Sequence, residues 1–84
     1  VANSPYFSAR DCEKDHLYSY KIGDKHFLVR FIEEVITDHG TRWQFEVVIA
    51  PKNHLNFEGL GFCLHDDAFL RHLTDMEVLA MAAR

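Results

Sequence analysis

The chain has 84 residues, 48% of them hydrophobic and 26% charged, with a net charge of −4. That length holds one domain with one modest core, and the balance is that of an ordinary globular fold. The negative charge and the lack of any Lys/Arg cluster argue against a nucleic-acid binder, and no apolar run approaches a membrane span or a signal peptide.

Cys12 and Cys63 are too few for a disulfide framework, so reduced thiols in a cytoplasmic protein are expected, with a single bridge as the alternative. The first residue is Val1 rather than Met, as in a trimmed chain or a piece of a longer one.

Residues 1–7 read as an irregular lead-in broken by Pro5. Within residues 8–15, Ser8 is placed to cap a short helix. Residues 17–22 alternate, and Gly23-Asp24 after them is a two-residue hairpin signal. That turn sets Tyr20 opposite Phe27 and Tyr18 opposite Val29. Tyr18, Tyr20 and Ile22 then share a face with Phe27, Val29 and Phe31, so turn and pattern agree on one register.

Residues 25–50 form the central hairpin. Phe27, Val29, Phe31 and Val35, then Trp43, Phe45, Val47 and Ile49, fall at the period-2 spacing of a strand face. A three-residue loop Asp38-His39-Gly40, with Gly40 left-handed, sets Thr37 opposite Thr41, Val35 opposite Trp43, Phe31 opposite Val47 and Val29 opposite Ile49. Glu33 then meets Phe45 on an apolar face. An ionised carboxylate is costly there unless paired, so a β-bulge is expected at Glu33-Glu34. The second face mixes Leu28, Ile32, Ile36 and Val48 with Arg30, Glu34, Arg42, Gln44 and Glu46.

Pro51 cannot donate to a ladder and ends the strand. After a loop over 52–59, residues 60–64 alternate as a fourth strand, with Leu60, Phe62 and Leu64 on one side. Asp66-Asp67 suits the positive end of a helix dipole, and Phe69, Leu70, Leu73 and Ala80 keep helical spacing. Thr74-x-x-Glu77 is also a capping-box pattern, so the helix is expected to break there into two pieces. The expected fold is α+β: a four-stranded antiparallel meander with a C-terminal helical region on its aromatic face. Residues 1–84 form a single domain, with lead-in 1–16, sheet 17–65 and helical part 66–84.

Six histidines invite a metal reading. Cys63, His65 and His72, with Asp66 or Asp67, have the ligand types zinc accepts, but not the spacing of a familiar site. No metal or other cofactor is therefore expected, and a metal- or small-ligand-binding protein using those three residues is the alternative. Cys12 or Cys63 beside a histidine could make a nucleophile–base pair. Asp15-His16 and Asp38-His39 are sequence neighbours, which strand geometry points apart. Glu33, Glu46 and Glu58 are more simply surface acids. Gly59-x-Gly61 lacks the rest of a phosphate loop and reads as a turn or bulge. No enzyme is expected.

Surfaces speak more strongly. The chain holds seven Phe, three Tyr and one Trp; one sheet face is almost fully apolar, the second is half apolar, and one helical region must cover both. Val78, Leu79, Met81 and the alanines leave the C-terminal helix apolar around much of its circumference, the pattern of a buried helix. Small alanines also suit close packing in a two-fold dimer. The expectation is a non-enzymatic protein-binding module (adaptor, inhibitor or regulatory subunit) that forms a homodimer and touches neither nucleic acid nor membrane. Its predicted contact residues are Arg30, Arg42, Trp43, His54, Phe57 and Met81, since Trp and Arg favour interface hot spots.

Overall fold

A computed structural model describes residues 6–83; the expectation for residues 1–5 and for Arg84 lies outside them. Strands β1 (Tyr6–Ser8), β2 (Leu17–Ile22), β3 (Lys25–Thr37), β4 (Gly40–Ile49), β5 (Gly61–Leu64) and β6 (Phe69–His72) are followed by helix α1 (Asp75–Ala82). All pairings are antiparallel, in the order β1-β6-β2-β3-β4-β5, and the sheet is open. The fold is α+β as expected, with six strands rather than four.

The β2–β3 hairpin has the expected register, with Ile22 opposite Lys25, Tyr20 opposite Phe27 and Tyr18 opposite Val29. Gly23 takes φ +62° in its turn, a conformation cheap only for glycine.

The central hairpin differs in detail. Its turn closes on two residues, Asp38 and His39, and Thr37 pairs with Gly40 rather than with Thr41. The Thr37 hydroxyl shortens the turn by donating to Gly40 O (2.7 Å) and accepting from His39 N–H (3.2 Å). This shift of one residue sets Glu34, not Val35, opposite Trp43. Ile32 is then the extra residue of a bulge, one position before Glu33, and beyond it Phe31 faces Phe45 and Val29 faces Val47. Two single-residue shifts restore the parity, so the aromatic face survives although its partners change. Glu33 is moved off Phe45 and onto Gln44.

The aromatic face is concave. Tyr20 on β2 and Phe62 on β5 stack 5.9 Å apart although β3 and β4 lie between them. Three strand spacings would separate them by roughly 14 Å in a flat sheet, so the sheet curls strongly. Contacts Phe62–Phe45 (5.8 Å) and Phe45–Phe31 (5.2 Å) continue the row. Ala9, Val29, Trp43, Phe45, Leu64 and Leu70 belong to the core this curl encloses. After β1, Ser8 caps a 3₁₀ segment, Ala9–Asp11, as the short helix expected within residues 8–15.

The helical region is where expectation fails most. Phe69–His72 is a strand paired with both β1 and β2, and Asp66-Asp67 form a turn. Four residues do not separate a period of 2 from one of 3.6, and the partner strand β1 comes from the far end of the chain. The helix also does not cover the aromatic face. Its Glu77, Ala80 and Met81 border a hollow with Ser19, His26 and Arg71, which alternate with Tyr18, Tyr20, Phe27 and His72 and so lie on the convex side. The curl brings the concave side's own rings together, and the helix lies on the other side. Among the described residues no helix is long and apolar enough to cross a membrane.

Candidate functional site

Helix α1 is short but firmly started. Thr74 is its N-cap, accepting from Glu77 N–H (3.2 Å), while Glu77 Oε1 accepts from Thr74 N–H (3.1 Å), so the predicted capping box is present. Arg71 on β6 adds a fork, with Nη1 to Oε1 at 3.1 Å and Nη2 to Oε2 at 2.6 Å. These donors, the guanidinium first, hold the Glu77 carboxyl down at about 2, and the same bond raises the pKa of Arg71. None of the eight helix residues is buried. Met76 and Leu79 are 76% and 65% exposed, while Val78 and Met81 are half-buried. Ala80, Ala82 and Ala83 are exposed too. The result is an apolar helix fixed at its N-terminal end and bare along its outer side.

The six predicted contact residues do not form one patch. Arg30 and Glu46 pair across β3 and β4 at 2.7 Å, which engages that guanidinium within the fold. Arg42 Nη1 donates to Thr41 O at 3.0 Å. Trp43 is 9% exposed and belongs to the core, opposite Leu64, so its ring is not offered to a partner. His54 and Phe57 do come together: their rings stack at 5.6 Å, and both lie near Phe27. Met81 borders the hollow beneath α1 rather than its outer side. Met76 and Leu79, which are exposed, were not among the predicted contacts. The capping box at Thr74 was the signal that could have found them, since it fixes where the helix begins.

The metal and nucleophile candidates are dispersed. Among the described residues no three His, Cys, Asp or Glu side chains gather as a metal site. Cys63 lies on β5 at one edge, while His72 on β6 packs with Phe7 and Tyr18 at 4.9 Å from each. Both cysteines are free. Burial, reinforced by Asp11, pushes the Cys12 thiol up to about 12, so it is protonated near neutrality and a poor nucleophile. His16 meets Glu13 at 3.5 Å rather than its neighbour Asp15. Gly59, at φ +88°, makes a turn, and Gly61 opens β5.

A second apolar feature opens on the concave side. Ile22, Phe57 and Leu60, all exposed, stand at the mouth of a cavity of about 360 Å³ with Val29, Val47 and Leu64 among its walls.

No protein-family model, curated protein or solved structure matches this chain.

Proposed function

We propose that this chain is a small, non-enzymatic, cytoplasmic interaction module that docks to another protein through the outer side of α1 and pairs there with a second copy of itself. One observation carries the reading: a helix apolar around much of its circumference has no buried residue. Isolated helices of this length are marginal in water, and apolar helices are stable when covered. The Arg71–Glu77 fork holds the helix in place for a partner without covering it.

A second copy suits the surface because the exposed alanines at 82 and 83 let two helices approach closely and a two-fold axis matches the patch to itself. Burying a Met or Leu fully contributes about 1.5–3 kcal/mol. Four such side chains, two from each copy, stand against an association cost of about 4–15 kcal/mol. The dimer is therefore weak and concentration-dependent, in keeping with an adaptor, inhibitor or regulatory subunit. The protonated Cys12 thiol and the scattered histidines favour binding over catalysis, and the net charge disfavours nucleic acid.

The test is Leu79→Glu, which changes an exposed position. The variant should keep the wild-type circular dichroism and melting profile yet stay monomeric where the wild type associates. Association unchanged in Leu79→Glu would remove α1 from the interface.

A further inference from the structure

We infer that the cavity on the concave side of the sheet is a binding site for a small, uncharged, largely apolar molecule. This goes beyond docking through α1 and uses residues on the opposite side of the sheet.

The cavity measures about 360 Å³, within the range of small-molecule sites. It is roughly twice the ~150 Å³ that admits benzene in an apolar protein cavity, which leaves room for on the order of ten carbon atoms. A two-ring aromatic has that size. Among the described lining residues, Tyr20 alone has a side chain with a polar atom and none is charged. A stably held water needs two to four polar partners, which these walls do not supply. A charged ligand would lose its hydration and gain no counter-ion. The polar, hydrogen-bonding rim of a typical protein interface is also missing from the lining.

The cavity is built rather than left over. Its wall at residues 57–60 is clamped to β4: Gly59 N–H donates to Val47 O (2.7 Å), and Val47 N–H donates to Leu60 O (2.9 Å). Glu58 Oε2 accepts from Ala50 N–H at 2.8 Å. His54 stacked on Phe57 steadies the ring at the mouth. Tyr20 and Phe62, both in the lining, are stacked on each other. A loop tied to its strand at both backbone groups cannot fall inward to fill the space, so the opening persists and a fitting guest gains its contacts without reorganising the protein.

The test is a methyl NMR titration of the full chain with 2-naphthol, and separately with naphthalene-2-sulfonate. The expected result is a saturable shift confined to the methyl groups of Ile22, Val29, Val47, Leu60 and Leu64, with Ile36 and Leu79 unmoved. The sulfonate should bind at least about tenfold more weakly. Leu60→Glu, at a position 51% exposed, should weaken 2-naphthol binding by a similar factor with the other methyl resonances in place. Val47→Phe, which adds bulk to the lining, should weaken binding at least as much, and unweakened binding in a folded variant would overturn the inference; if it does not fold, Leu60→Glu decides alone. Leu79→Glu should leave binding unchanged, which separates this site from the helix. No saturable shift, equal binding of the sulfonate, or shifts centred on α1 would overturn the inference. So would dilution shifts at Ile22 and Leu60 in the free chain, because they would place a second copy over the mouth.

Discussion

Glu77 accepts two hydrogen bonds from Arg71 and a third from the backbone N–H of Thr74, so one carboxylate both starts α1 and ties it to β6. The helix has no buried residue, which leaves this polar junction as the described anchor at its N-terminal end. Removing the fork should release α1 while sparing the sheet. Arg71→Ala is expected to lower overall stability by no more than about 1 kcal/mol, because the pair is partly exposed. Amide exchange in α1 should quicken far more than exchange in β3.

Acid should do the same through the other partner. The Glu77 carboxyl is held at about 2 against an ordinary 4.5. A depressed acid contributes stability that is complete above its unfolded value and lost as pH falls through its folded one. Helix order should therefore decline between about pH 4.5 and 2. A carboxyl NMR titration of Glu77 with its midpoint near 4.5 would contradict the fork.

The two thiols should behave differently. Cys63 is exposed, whereas Cys12 is half-buried with its pKa pushed up to about 12. Iodoacetamide at neutral pH should modify Cys63 at least about ten times faster, since the thiolate is the reacting form. The raised value also makes Cys12 favour folding below its ordinary 9.0, a contribution lost as pH climbs from there towards 12. Equal alkylation rates would place both sulfurs in similar surroundings.

Strand β6 is integral to the core through Leu70, which is fully buried opposite Phe7. Leu70→Ala should cost about 2–5 kcal/mol, the usual range for a buried leucine, read from denaturant midpoints. A loss below about 1 kcal/mol would mean that the strand is peripheral.

The glycines separate backbone need from mere space. Gly40 has φ +110°, so Gly40→Ala should destabilise by at least about 1 kcal/mol. At Gly61 an added Cβ would meet Gln44 Nε2 at an ordinary 3.7 Å, so Gly61→Ala should fall within about 0.5 kcal/mol of neutral.

How much of this was legible in the sequence varies from segment to segment. The β2–β3 register was, because Gly23-Asp24 and the alternation of Tyr18, Tyr20, Phe27 and Val29 demand the same pairing. Glu33 announced a bulge by its misfit, and the bulge lies one residue away at Ile32. The turn register was not legible, since nothing in Thr37-Asp38-His39-Gly40 says whether the threonine hydroxyl will shorten the loop. Strand β6 was hidden because its alternation is only four residues long and its pairing depends on distant Tyr6–Ser8. The curl that brings Tyr20 to Phe62 is a property of the whole sheet, so the pattern could identify the aromatic face but not what would cover it. For the same reason Trp43 could be picked as a contact and turn out to be core, while Met76 and Leu79 were left out of the predicted contacts and turn out exposed.

The proposed function depends above all on α1 pairing with α1 of a second copy. Sedimentation velocity over a hundredfold range of concentration tests it most directly, with wild type and Leu79→Glu run side by side. The wild-type mass should rise from 9.8 kDa towards twice that value with concentration, while the variant stays at the monomer mass throughout. A wild type that remains monomeric over the whole range, or a variant that dimerises equally well, would contradict it.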